Sequence, residues 1–168
     1  DVQKNSFTGH NKNRSTLRYI PASTFKITNS LIGLSVGAVE TVDEILPYGG
    51  QPQYLKIWEK DMSLRDAIKI SNVPIYQELA RRIGLERMQE TIKKLDYGNA
   101  NIGNVVDSFW LAGPLEISAV EQAKFLARLA KRKLPLSENI QNSVIDILKI
   151  EQTTEWTLYG KSGWTTAP

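Results

Sequence analysis

The chain has 168 residues, 41% of them hydrophobic and 23% charged, and a net charge of +3. That is enough for one domain with a core and is ordinary for a globular protein, and the scattered lysines and arginines argue against a nucleic-acid partner. There is no cysteine and one histidine, His10, which argues against disulfides, thiolate chemistry and a transition-metal centre. No run approaches the roughly 20 apolar residues of a membrane span, and no signal-peptide pattern opens the chain.

In chain order, Val2 to Thr8 reads as part of a strand and Asn11 to Ser15 as a polar turn. His10 falls in that polar stretch and reads as a solvated loop residue. Leu17 to Ile20 is a short extended entry, and Pro21 is compatible with a helix start. From Ser23 to about Val36 the apolar residues are dense enough to predict a helix buried on most sides, with Gly37 as its C-cap. Residues 41–58, with Pro47, Gly49, Gly50 and Pro52, read as a loop.

Ser63, with Asp66 three residues on, predicts a capped helix to about Ile70. Pro74 starts another, ended by Gly84, and Leu85 to Leu95 is a third. Residues 96–113 are irregular. Ser118 and Glu121 form a capping-box pattern ahead of a helix to about Lys131, and Ser137 caps a last helix. The basic run Lys131-Arg132-Lys133 suits that helix's C-terminal end. Trp156 to Tyr159 alternates as a strand does and leads into Lys161-Ser162-Gly163. Helices inserted between extended pieces predict an α+β fold with an antiparallel sheet, but too few strands are visible to complete one. Residues 1–168 are expected to form a single domain. The chain begins without Met and stops soon after a motif, so a fragment lacking N-terminal and C-terminal sheet strands is expected.

Four motifs carry chemistry. Ser23 and Lys26 share a helical face at i,i+3 and can be a nucleophile and its base. The spacing alone is common; what raises it is Lys26 between Phe25 and Ile27, where desolvation favours a neutral amine. Ser71-Asn72-Val73 alone reads as a cap before Pro74, yet a second serine near the first can relay a proton. Tyr97-Gly98-Asn99 alone reads as a turn. Phe109-Trp110-Leu111 alone reads as core, although a buried indole N–H wants an acceptor. Lys161-Ser162-Gly163 alone is a charged strand end with a turn glycine; functionally, its cation and hydroxyl can hold an anionic group.

In this order the set resembles the serine-reactive penicillin-recognising enzymes, and most closely the class D, oxacillinase-type β-lactamases. The resemblance rests on Ser23-x-x-Lys26, Ser71-x-Val73, Tyr97-Gly98-Asn99 and Lys161-Ser162-Gly163, and runs from about Arg18 to Trp164. It implies a helical block packed on a five-stranded antiparallel sheet, incomplete in this chain. It implies hydrolysis of penicillin-type substrates through an acyl-Ser23, with Lys26 carboxylated by carbon dioxide as general base. Val73, Trp110 and Leu111 would wall the lysine pocket, with the Trp110 N–H on the carbamate. Ser71 and Lys161 would pass a proton to the ring nitrogen. Lys161 and Ser162 would meet the substrate carboxylate, and Gly163 would let substrate approach the backbone. Backbone N–H groups of Ser23 and Trp164 would form the oxyanion hole. Tyr97, Gly98 and Asn99 would be scaffold.

The resemblance further implies a periplasmic or secreted protein with small-molecule substrates, no nucleic-acid partner, no metal and no bound organic cofactor. Oligomeric state is not read from it. The family's carboxylate-binding arginine has no counterpart here. The alternatives are a β-lactam sensor that acylates without turnover and an inactive structural fragment. A transpeptidase is disfavoured by Val73.

Overall fold

The computed structural model describes residues 1–165. The helices are α1 (Lys12–Thr16), α2 (Lys26–Ser35), α3 (Leu64–Lys69), α4 (Val73–Ile83), α5 (Leu85–Leu95), α6 (Ala119–Ala130) and α7 (Glu138–Ile147), with short 3-10 turns at Ala22–Phe25 and Lys56–Trp58. The extended pieces pair as three antiparallel two-stranded ribbons among the described residues. β1 (Arg18–Tyr19) pairs with β4 (Ile117–Ser118). β2 (Ile45–Leu46) pairs with β3 (Met62–Ser63), and β5 (Lys149–Gln152) with β6 (Thr157–Tyr159). The expected helical block with incomplete antiparallel strands is the architecture found.

Helix α2 is the axis of the molecule. Every residue from Lys26 to Gly33 is buried, because α4, α5 and α7 all pack on it. One continuous core joins Leu31 and Ile32 of α2 to Ile75 and Leu79 of α4, Met88 and Ile92 of α5, and Val144 of α7. Helix starts follow side-chain caps: Ser63 Oγ accepts from Asp66 N at 3.2 Å, Asn72 Oδ1 from Ile75 N at 3.2 Å, and Ser118 with Glu121 forms a complete capping box. Each satisfies amide donors that the first helical turn leaves unpaired.

Two local expectations fail and one strand was not foreseen, each for a physical reason. Val2 to Thr8 is turn and irregular chain rather than strand; nothing pairs with it, and strand structure exists only through pairing. The polar stretch after His10 is a short helix, because Asn11 Oδ1 accepts from Arg14 N and opens it. β5 was not legible, since Lys149-Ile150-Glu151-Gln152 offers one apolar side chain and no alternation; pairing with β6 makes it a strand.

Candidate active site

The Ser23-Thr24-Phe25-Lys26 segment is wound as a 3-10 turn that passes into α2 at Lys26. A 3-10 turn eclipses residues i and i+3, so Ser23 stands directly over Lys26. The Lys26 Nζ donates to Ser23 Oγ at 2.9 Å. Lys26 is fully buried. Burial, with the positive charge of Lys161 as the smaller cause, pulls its pKa down from 10.5 to about 7. A lysine near neutrality in proton affinity is a base at physiological pH, which a solvated lysine is not.

Ser71, on another segment, is linked to this pair through Lys161. It lies between α3 and α4 with φ 54, in the left-handed region. For a residue with a side chain that conformation costs on the order of 1–3 kcal/mol and persists only where surrounding structure enforces it. Ala22, beside Ser23, has φ 48. Strain at both serine-bearing turns was not legible in the sequence. The Lys161 Nζ, at the end of β6, donates to Ser71 Oγ and to the carbonyl of Ser162. Burial lowers the Lys161 pKa.

Gly163 runs against the Ala22–Phe25 turn. A Cβ there would sit 2.9 Å from the Pro21 carbonyl oxygen and 3.0 Å from Thr24 Cγ2, so only glycine lets the two backbones meet this closely. Ser162 and Trp164 are exposed, Trp164 at 76%. They lie on the same passing segment.

Phe25 organises the far wall. Its ring stacks on Trp110 at 5.5 Å and meets Phe109 and Tyr97 edge-on at 5.1 and 5.7 Å. The residue next to the lysine thus anchors both the Trp110 segment and the Tyr97 turn. Trp110 is fully buried, and its Nε1 has no hydrogen-bond partner among the described residues. A buried indole N–H without an acceptor is costly. Leu111 packs half-buried against the core, and Val73 is half-buried as the first residue of α4.

Tyr97-Gly98-Asn99 fastens the loop that carries Trp110. The Asn99 Oδ1 accepts from Glu116 N at 3.1 Å, while its Nδ2 donates to the Pro114 carbonyl at 2.9 Å. The Tyr97 hydroxyl donates to Gln122 Oε1 at 3.0 Å, and burial pushes its pKa up. Gly98, at φ +57, would place a Cβ 2.1 Å from the Glu116 carbonyl oxygen.

The sequence reading missed Phe25 as an anchor, and it missed Tyr76. The ring of Tyr76, on α4, lies 5.4 Å from Lys26 Nζ. Its only sequence signal was an aromatic three residues after Val73. His10 is an exposed bend residue, and among the described residues no cluster of His, Cys, Asp and Glu could hold a metal ion. No helix among them is long and apolar enough to cross a membrane.

A serine bonded to a buried lysine, and a second serine bonded to a lysine that follows a strand and acts on the first, are the geometry of a candidate serine acyl-transfer site. Residues 1–167 match the family model of the penicillin binding protein transpeptidase domain. The crystal structure of FUS-1 (OXA-85), a class D β-lactamase from Fusobacterium nucleatum subsp. polymorphum, aligns with a TM-score of 0.96 at 48% identity, covering 99% of this chain and 69% of that one. Among curated relatives, β-lactamase OXA-5 of Pseudomonas aeruginosa is 46% identical over 160 residues, 95% of this chain and 60% of the relative. β-lactamase OXA-48 of Klebsiella pneumoniae is 41% identical over 157 residues, 94% of this chain and 59% of the relative. The chain belongs to the class D β-lactamase family. It spans about 60% of the length of these curated relatives.

Proposed function

We propose that the protein opens the β-lactam ring of penicillin-type antibiotics through an acyl-enzyme on Ser23 and then hydrolyses that ester. The observation that carries this is the 2.9 Å hydrogen bond from Lys26 Nζ to Ser23 Oγ, made by a fully buried amine whose pKa lies at about 7. In its neutral form that amine accepts the Ser23 proton as Oγ attacks the lactam carbonyl. The backbone N–H groups of Ser23 and Trp164 receive the developing oxyanion; the close pass of Gly163 against the Pro21–Thr24 turn supports this pairing. The C–N bond then breaks, and the ring nitrogen takes the Ser71 hydroxyl proton, replaced from the Lys161 ammonium. Lys161 and Ser162 meet the substrate carboxylate.

Carboxylation of Lys26 by carbon dioxide fits these residues. The amine is buried and easily neutral, and the unpartnered indole N–H of Trp110 belongs to a ring stacked on Phe25, the neighbour of Lys26. When bound at Nζ, the added carboxylate would replace the amine as general base for acylation and would activate the hydrolytic water. Val73, Trp110 and Leu111 keep that base dry. The chemistry calls for no metal and no organic cofactor. Because such antibiotics act on the cell wall, we infer a periplasmic or secreted location.

The test is mass spectrometry of the protein incubated with benzylpenicillin, paired with turnover of a chromogenic cephalosporin. A transient adduct of one penicillin, absent in Ser23→Ala, with cephalosporin turnover, is expected. An adduct that persists for hours identifies a sensor that acylates without turnover. No adduct on this chain overturns the proposal for the chain by itself, and success of a chain as long as its relatives would mark these residues as the structural part of a larger enzyme.

A further inference from the structure

Tyr76 is fully buried and is held at both ends by the helix that carries the base. The Asn29 Nδ2 donates to its backbone carbonyl at 3.0 Å. Its hydroxyl lies 2.9 Å from Ser30 Oγ, and Ser30 Oγ in turn donates to the Lys26 carbonyl at 2.9 Å. A serine hydroxyl has one proton. Since Ser30 gives its proton to Lys26, the Tyr76 hydroxyl must be the donor to Ser30. The chain of bonds therefore runs from Tyr76 through Ser30 to the backbone of Lys26, and it fixes the ring where its face meets the Lys26 Nζ at 5.4 Å. Burial pushes the phenol pKa up, so the ring stays neutral and keeps its electron-rich face.

An aromatic face within about 6 Å of an ammonium attracts the charged form and not the neutral one. We propose that Tyr76 is a positioning residue for Lys26, whose ring, clamped by Asn29 and Ser30, holds the amine beside Ser23 and favours its protonated state. Tyr76 thereby sets the pH above which the lysine becomes the neutral amine that can take the Ser23 proton or bind carbon dioxide. The other groups acting on Lys26 are the uncharged Ser23 hydroxyl from the 3-10 turn and the Lys161 cation from the end of β6. Lys161 and burial both oppose the ammonium, and no carboxylate among the described residues supports it. The ring face acts against both and favours the ammonium. The inference rests on the functional reading above only for its consequence; the proton balance itself is measurable without substrate.

The experiment follows the Lys26 13Cε chemical shift against pH in carbon-dioxide-free buffer, with the signal assigned by its loss in Lys26→Gln. Tyr76→Phe retains the face and is expected to keep the wild-type midpoint. Tyr76→Leu removes it and is expected to lower the midpoint by about half a pH unit or more. Should Tyr76→Leu fail to fold, phenylalanine at position 76 with successively fluorinated rings decides the matter. These rings keep the shape but drain the face of electron density, so the midpoint should fall stepwise. A midpoint unmoved across the fluorinated series overturns the proposal. No β-lactam is present, so failure to acylate counts against the functional reading and leaves this result standing.

Discussion

Lys26 is a fully buried lysine in the core and the residue on which the candidate site is built. Its pKa of about 7 lies below the 10.5 of an unfolded lysine, so between those values the unfolded chain binds a proton that the folded chain does not. Stability from this group therefore rises with pH from about 7 to 10.5, and the full cost of burial is felt at and below pH 7. Lys26→Met should abolish β-lactam turnover while stabilising the fold by on the order of 2–4 kcal/mol near neutral pH. The gain over wild type should shrink as pH rises towards 10. Urea unfolding of both proteins between pH 6 and 10 checks the slope, and a pH-independent difference would contradict it.

At the scale of elements, the Tyr97-Gly98-Asn99 turn matters because it fixes the loop that carries Trp110. Asn99 ties Pro114 and Glu116 to the turn, and Arg18 on β1 adds a bond from its guanidinium to the Gly98 carbonyl. Arg18 also pairs with Glu121, and this pair holds the Glu121 carboxyl down at about 2. Gly98 is where this assembly tolerates no side chain. Gly98→Ala combines a left-handed φ with an overlap on the Glu116 carbonyl oxygen, so a loss of roughly 1–3 kcal/mol from backbone strain alone is expected. If the turn only closes a surface loop, thermal unfolding will fall while the Trp110 environment, read by its fluorescence, stays native. If it positions Trp110 as described, the emission will shift towards that of an exposed indole.

Across the whole molecule, the two halves of the site rest on supports of very different strength. Lys26 opens α2, which is buried from Lys26 to Gly33, and Ser23 sits on the 3-10 turn leading into it, whereas Lys161 follows β6, whose only partner among the described residues is β5. All four residues of β5 are exposed, and an apolar cavity of about 410 Å³ lies between β6 and α2, α6 and α7, lined by Ile27, Leu126, Leu129 and Tyr159. A two-stranded ribbon is marginal without a packed face. Amide hydrogen exchange should show the β5 and β6 amides opening at far lower free energy than those of α2, with rates at least about 100-fold faster. Equal protection in the two regions would refute this. The Lys161 to Ser71 contact is thus the most easily lost part of the site.

The sequence by itself marked the longer helices and the candidate reactive groups. Capping pairs such as Ser118 with Glu121 and terminators such as Gly84 are local, so their physics is written in adjacent residues. Ser23 and Lys26 were legible for the same reason, being one turn apart in an apolar run. What only tertiary structure decided depends on contacts between distant residues. β5 exists through β6, the left-handed Ser71 through its surroundings, and the Lys161 bond to Ser71 through chain segments 90 residues apart. The Tyr76 face over Lys26 belongs to the same class. No local pattern distinguishes a tyrosine that packs a core from one clamped by Asn29 and Ser30 beside a buried amine. That distinction arises only when α4 is laid against α2.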